Sequence, residues 1–309
     1  MAEFAVAAPS TRLSRRAPVP AALFSAERPP AFVLFTPDGA RVPLTPGLRS
    51  QPEDVVYVSR FDFAALIHYL REHLAAIAKD DGLALEVRAW ATHRVLVAEA
   101  VLVARGGGTL PGRELIAAAR ALAQLVARDA RAFPALNALL GGPYTAAGHA
   151  AATAIVATAL AAADGVREPE RLTGIALGGL FADSGKLDVA GSAISRPGPL
   201  TDAEWDLMLR HPRRSVELLR DAGVLFAQAQ HGVLHHHERW DGEGYPERRR
   251  GPEIPIEARY IAIADSYCAM TVDRPYRPSR NTFEAVTEMV SDGGFEPRLL
   301  RLFVPLLAA

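Results

Sequence analysis

Apolar residues recur at three- and four-residue spacing at Phe63, Leu66, Ile67, Leu70, Leu74 and Ile77, which places them along one face of a helix. Ser59 ahead of the run is the expected N-cap. Upstream, residues 31–35, the turn Thr36-Pro37-Asp38-Gly39 and Arg41-Val42 read as a β-hairpin, with 55–58 as a third strand. Three short strands need a cover, and the helix that follows is expected to supply it. Another helix is expected from about 83 to 104, ended by Gly106-Gly107-Gly108, and a third after Pro111 to about 131. From there the pattern stays helical, near 145–164, 169–182, 201–222, 225–239, 255–271, 281–291 and 296–307. Residues 1–28 carry scattered Pro, Arg and Ala without a period, the composition of a mobile tail. No repeat of solenoid length is present. The expected fold class is mainly α, a C-terminal helical bundle preceded by a small β unit and helices.

Composition narrows the function. The formal net charge of −1 over 309 residues provides no global field for nucleic acid or an anionic membrane, so recognition of a phosphate needs a local site. A lone cysteine, Cys268, excludes an internal disulfide framework and a multi-cysteine zinc site and fits a reducing compartment. The apolar run 150–163 falls short of the ~18–20 residues that cross a bilayer and reads as a buried helix. No apolar run follows Arg15-Arg16, so no export signal is expected there and the cytoplasm is the expected compartment.

Six of the nine histidines lie at or beyond His149, several beside Asp, Gly and Lys. The densest segment is His236-His237-Glu238-Arg239-Trp240-Asp241-Gly242-Glu243-Gly244-Tyr245-Pro246. Neutral imidazoles bind borderline metals through a ring nitrogen, and a Gly-rich turn lets a loop approach a bulky ligand. Singly, each feature has a plain structural reading: His235, His236 and His237 as a surface run, His149 as a core histidine, His211 before Pro212 as a helix-terminal residue balancing the dipole, Asp265 as an ion-pair partner.

Together they carry a resemblance. The segment 236–246 matches H-H-E-x-x-D-G-x-G-Y-P and is identified as the signature of the HD-GYP subgroup of the HD phosphohydrolase superfamily, whose substrate is cyclic di-GMP. Other elements follow in family order: Tyr144-Thr145 with His149, Asp183-Ser184-Gly185-Lys186 as D-x-G-K, Pro197-Gly198-Pro199-Leu200-Thr201 leading to His211-Pro212, Ile263-Ala264-Asp265, and Asp273-Arg274-Pro275-Tyr276-Arg277. The resemblance covers about 141–309 and implies an HD-type helical bundle there, after a probable tail at 1–28 and a regulatory or dimerisation unit at 29–140.

The resemblance implies two divalent ions, iron, manganese or zinc. One would be held by Asp183, His211, His236 and His237. The other would share Asp183 and use His149 and Asp265. The histidine that the family places before Asp183 is Ala182 here, which leaves the second position weak or empty. Cys268 stands where many relatives carry an aspartate, and Arg248-Arg249-Arg250 follow the signature. Lys186, with Arg274 and Arg277, would stabilise phosphate charge, and Tyr245 would line the substrate cleft. The implied partners are cyclic di-GMP, signalling proteins at the Gly244-Tyr245-Pro246 loop and a second copy of the chain, with no nucleic-acid polymer and no membrane span. Three readings stay open: an active cyclic di-GMP phosphodiesterase, a catalytically silent receptor or interaction module, and a phosphohydrolase of another nucleotide.

Overall fold

A computed structural model of the chain describes residues 16–24, 30, 33–35, 41, 55–105, 110–141, 143–191, 198, 200–273 and 278–308. It divides into two compact units, Met1–Val95 and Leu96–Ala309.

In the first unit, strands β1 (Arg16–Pro20), β2 (Leu34–Phe35) and β3 (Val55–Ser59) form an antiparallel sheet of order β1-β3-β2. Arg16 pairs with Ser59 and Pro20 with Val55, while Leu34 pairs with Val58. Part of the expected tail is thus a strand. Its prolines Pro18 and Pro20 argue against a central strand, and the sheet places them on an edge, where a missing N–H costs no ladder bond. The rest of 1–28, apart from 16–24, lies outside the described residues. So do the hairpin turn 36–39 and Val42, although Phe35 bridges Arg41 in antiparallel sense. Val56 and Val58 alternate inward, and helix α1 (Phe63–Lys79) packs on β3 with Leu66, Ile67, Leu70, Leu74 and Ile77 buried. Tyr69 adds a hydroxyl that donates to the Leu23 carbonyl at 2.9 Å. The Ser59 side chain accepts the Phe61 N–H at 3.3 Å, so it caps a 3-10 turn that feeds α1.

Helix α2 (Leu85–Arg105) crosses the boundary between the units. The second unit continues with α3 (Gly112–Arg128), α4 (Ala132–Asn137), α5 (Ala146–Ala163), α6 (Pro169–Phe181), α7 (Lys186–Ala190), α8 (Asp202–Met208), α9 (His211–Asp221), α10 (Ala227–His235), α11 (Ile256–Met270), α12 (Thr282–Asp292) and α13 (Pro297–Ala308). α5 is the hub: α3, α4, α6, α11 and α13 pack around it, and α10 joins α6 to α11. Its 18 residues are long and apolar enough to cross a membrane by length and composition alone, which corrects the shorter run read from the sequence, but most of them are buried within this unit. Because α3 packs on α5 and α6, and α4 on α5, the unit takes in residues well before 141.

One expected helix, 201–222, is two. Pro212 lacks the N–H that would bond the Met208 carbonyl four residues back, so α8 ends at Met208 and α9 starts at His211. α8 opens with a capping box between Thr201 and Glu204.

At the far end of α5, Asp164 gathers partners from α11 and α13. The Tyr260 hydroxyl donates to Asp164 Oδ2 at 2.7 Å and Arg298 Nη2 to the same oxygen at 2.9 Å. Burial works to raise the Asp164 pKa, but the hydrogen bonds from Arg298 and Tyr260 outweigh it, so the pKa lies below the ordinary value. Removing the hydroxyl by Tyr260→Phe should lower stability by about 1.5–3 kcal/mol, the usual worth of a hydrogen bond to a charged group, read from urea denaturation. A carboxylate with a depressed folded-state pKa stabilises above its unfolded value near 4 and loses that contribution as pH falls through the folded one. Asp164→Asn should therefore show a shallower loss of stability below about pH 4 than the parent.

Candidate metal centre

The centre is built where four helix ends meet. Thr145 caps α5 by accepting the Gly148 N–H at 2.9 Å, which sets His149 on the first turn, buried. α11 packs along α5 and brings Asp265 opposite, so that His149 Nε2 and Asp265 Oδ1 lie 2.7 Å apart. Asp183 follows α6 in the short turn that leads to α7. This turn is fastened to α9: the Gly185 N–H donates to Ser215 Oγ at 2.8 Å, and the Ser215 hydroxyl donates to the Ala182 carbonyl at 3.0 Å. A Cβ at Gly185 would stand 2.6 Å from the His211 carbonyl oxygen and 2.7 Å from Ser215 N. Glycine is thus required at that place in D-x-G-K by the backbone of the H-P segment.

The interruption between α8 and α9 orients a ligand. Without an N–H on Pro212, the Met208 carbonyl is left open, and His211 Nδ1–H donates to it at 2.8 Å. His236, just past α10, does the same with the Val233 carbonyl at 2.7 Å, another acceptor left over at a helix end. With both Nδ1 atoms engaged as donors, both Nε2 atoms are acceptors. They face each other at 3.5 Å and stand 3.6 and 3.7 Å from Asp183 Oδ1. His211 thus sits at the start of its helix, not at a C-terminal end where its charge would balance the dipole. The His237 ring lies 4.1 Å from that of His236 and 5.0 Å from that of His211, centroid to centroid.

Two overlapping groups result: Asp183, His211, His236 and His237, and His149, Asp183 and Asp265, with the potential ligand atoms of each group within 4.8 Å of one another. The donor chemistry fits a cation. Asp183 Oδ1 and His237 Nε2 are buried without a hydrogen-bond partner, and a cation held between them would satisfy both. Burial above all pushes His211 down to about 3 and His237 well below the ordinary imidazole range, so both are neutral at pH 7, as metal ligation requires. Burial likewise acts to lower His149, but its hydrogen bond to Asp265 and the charges of Asp265 and Asp183 raise it overall. Burial opposes ionisation of Asp183 and Asp265. The charge of Lys186 holds Asp183 low, and the His149 hydrogen bond and charge hold Asp265 low even against the neighbouring Asp183.

Lys186 Nζ donates to Asp183 Oδ2 at 2.6 Å, so its first partner is a candidate ligand. The Tyr245 ring stacks on His237, centroids 4.7 Å apart at 20°. Cys268 is buried in α11 with its thiol pushed up by burial, a small side chain packed in the interior. Ala182 is 2% exposed. Arg274 and Arg277 lie outside the described residues. Asp273, the last described residue before them, accepts the Ser279 N–H at 2.8 Å and bridges Pro143. The motif reading leaves out Ser215 and Glu238. Ser215 lies four residues after His211 and so on the same helix face, a spacing that marks it. Glu238 stands inside the signature, and its carboxylate serves the loop that follows.

A family model described as "HD domain" matches residues 119–299, more than half of the chain. Among curated proteins, the chain is similar to "Cyclic di-GMP phosphodiesterase PA4108" of Pseudomonas aeruginosa, 41% identical over 129 residues, which is 41% of this chain and 31% of that protein. It is 40% identical over 119 residues to "Cyclic di-GMP phosphodiesterase response regulator RpfG" of Xanthomonas campestris pv. campestris, 38% of this chain and 32% of that one. It is 37% identical over 125 residues to "3'3'-cGAMP-specific phosphodiesterase 2" of Vibrio cholerae, 40% and 24% of the respective chains. The chain thus spans about a third or less of the length of these relatives. The solved structure of Bd1817, an HDG"Y"P protein from Bdellovibrio bacteriovorus, shares the fold, with a TM-score of 0.63 at 15% identity over 95% of this chain and 100% of that one. The chain belongs to the HD domain family, and the signature at 236–246 places it in the HD-GYP branch.

Proposed function

We propose that this chain is a metal-dependent phosphodiesterase that hydrolyses cyclic di-GMP. The observation that carries the reading is the pair of ligand groups joined at one carboxylate, Asp183. Imidazole and carboxylate ligands without thiolate suit iron, manganese or zinc. Asp183, His211, His236 and His237 would hold one ion, and His149, Asp183 and Asp265 the other. Two such ions supply a water made nucleophilic at neutral pH and positive charge for the phosphoryl oxygens. The printed names of the relatives from Pseudomonas and Xanthomonas support the substrate.

The protein's own groups divide the remaining work. The Met208 and Val233 carbonyls fix the rings of His211 and His236, so the ligands need no reorientation when a cation arrives. Lys186, held charged by Asp183 and Asp265 although burial opposes it, adds fixed positive charge beside the site of phosphoryl transfer. Tyr245 offers a half-buried ring on which a guanine base can stack, and Arg274 and Arg277 would add contacts to phosphate. The first unit, up to Val95, would be the regulatory or dimerisation region and the Gly244-Tyr245-Pro246 loop a contact for signalling proteins, in a cytoplasmic protein that pairs with itself.

Ala182 favours a second reading. A buried methyl group takes the place of the imidazole ahead of Asp183, and loss of a ligand costs at least the ~10–100-fold that loss of an outer partner does. A silent receptor would keep the four-ligand group and bind without turnover. The relative named for 3'3'-cGAMP supports a third, another nucleotide as substrate.

Incubation of protein loaded with iron, manganese or zinc with a panel of cyclic and linear nucleotides, followed by chromatography, separates the three. Linear dinucleotide or GMP from cyclic di-GMP is the expected product, and Ala182→His should raise the rate at least about tenfold. Binding of cyclic di-GMP with no product in any metal form establishes the receptor instead. A second expectation concerns the shared carboxylate. Asp183→Ala should lower total bound metal more than His149→Ala does, because it removes a ligand from both groups and leaves two cations to repel each other. Circular dichroism should show little lost helix, since the apolar packing around α5 is untouched. Equal metal content in Asp183→Ala and the parent would remove the basis for the assignment.

A further inference from the structure

Glu238 offers no ligand atom to either group, yet it is 4% exposed, a place where a carboxylate costs several kcal/mol unless its oxygens are bonded. Both are: Oε1 accepts the Glu247 N–H at 2.7 Å and Oε2 the Arg249 N–H at 3.0 Å. The Arg249 guanidinium takes other partners, the Glu247 carboxylate and the Glu253 carbonyl, so Glu238 is engaged by main chain and not by an arginine fork.

These two bonds fasten one end of the segment that follows the histidine pair. The other end is fastened by the Tyr245 N–H, which donates to the His237 carbonyl at 3.1 Å. Just before Tyr245 the chain lies flat against its own preceding turn: a Cβ at Gly244 would meet Arg239 N at 2.3 Å and the His237 oxygen at 2.5 Å. The outcome is the near-parallel stack of Tyr245 on His237. The backbone that carries the ring is thus tied on both sides, and the ring lies over the imidazole of His237.

We propose that Glu238 is a positioning residue: by holding the amides of residues 247 and 249 it keeps Tyr245 stacked on His237, and so fixes the ring plane of a metal ligand from outside the centre. Its role toward the metal rests on the metal-centre reading; its hold on the loop does not, and the two are tested apart. The three arginines beyond the tie provide the probe, since trypsin cleaves after arginine wherever the backbone opens.

Glu238→Gln keeps the size of the side chain but turns one acceptor into a donor that faces an amide N–H. Limited trypsin treatment of the full chain should cut after Arg248, Arg249 and Arg250 at least about tenfold faster in Glu238→Gln than in the parent, as expected for a lost charge-assisted bond, with the other tryptic sites and the circular dichroism spectrum unchanged. In cobalt-loaded protein the visible band should shift in the same variant, because the His237 ring is no longer held. Tyr245→Ala, which removes the stack and leaves Glu238 alone, should shift the band without speeding cleavage. Should Glu238→Gln lose helix or be cut faster at every site, Glu238 supports the fold at large and the proposal fails. Unchanged cleavage at the three arginines overturns it as well. A parent protein that binds no cobalt overturns the metal reading, while the cleavage rates still decide whether Glu238 holds the loop.

Discussion

The main-chain carbonyls of Met208 and Val233, left without helical partners, take up the Nδ1–H groups of His211 and His236, and the remainder of the centre depends on this. Once those protons are committed, the opposite ring nitrogens are acceptors, and they point at each other and at Asp183 across distances too long for hydrogen bonds and suited to a shared cation. Burial then keeps His211 neutral. Helix termination, usually described as a matter of stability, here determines which atoms of the site are nucleophilic toward a metal.

The same economy recurs at Asp183. Its turn is placed by Ser215 and by the absence of a side chain at Gly185, so the carboxylate, the α9 histidine and the lysine that neutralises it are tied to one another. Ala182 sits inside this clamp with its carbonyl in use and its methyl group buried. The substitution changes what the residue offers to a metal but not how the turn is held, which explains how a departure from the family pattern coexists with an intact constellation around it.

Much of this was legible in the sequence, for different reasons in different places. The grouping of His149, Asp183, His211, His236, His237 and Asp265 follows from motifs in family order, and the geometry brings all six together. The α1 stripe was readable because one face is buried and the other wet. Where both faces are buried, as in α5, periodicity carries no information and only length and capping mark the helix. The strand at Arg16–Pro20 was hidden by its prolines, which read as a tail until an edge position explains them. The break at Met208 was hidden by continuous amphipathic spacing on either side of it; the signal lay in Pro212, read as part of a motif and not as a helix breaker. Ser215 and Glu238 were passed over because their partners are backbone atoms; their positions, four residues after His211 and inside the signature, mark them, but a main-chain partner gives the sequence no second residue to pair them with.

The buried character of α5 has a consequence for how the protein is made. Its neighbours α3 and α4 precede it on the ribosome and α6 follows at once, but α11 and α13, which cover its remaining sides, are the last parts of the bundle to be synthesised. Until those helices are made, an 18-residue apolar helix lacks the cover of two of its neighbours, and exposed apolar surface is prone to aggregate. The same late helix, α11, carries Asp265, so the cover of α5 and the second candidate ligand group are completed by one element.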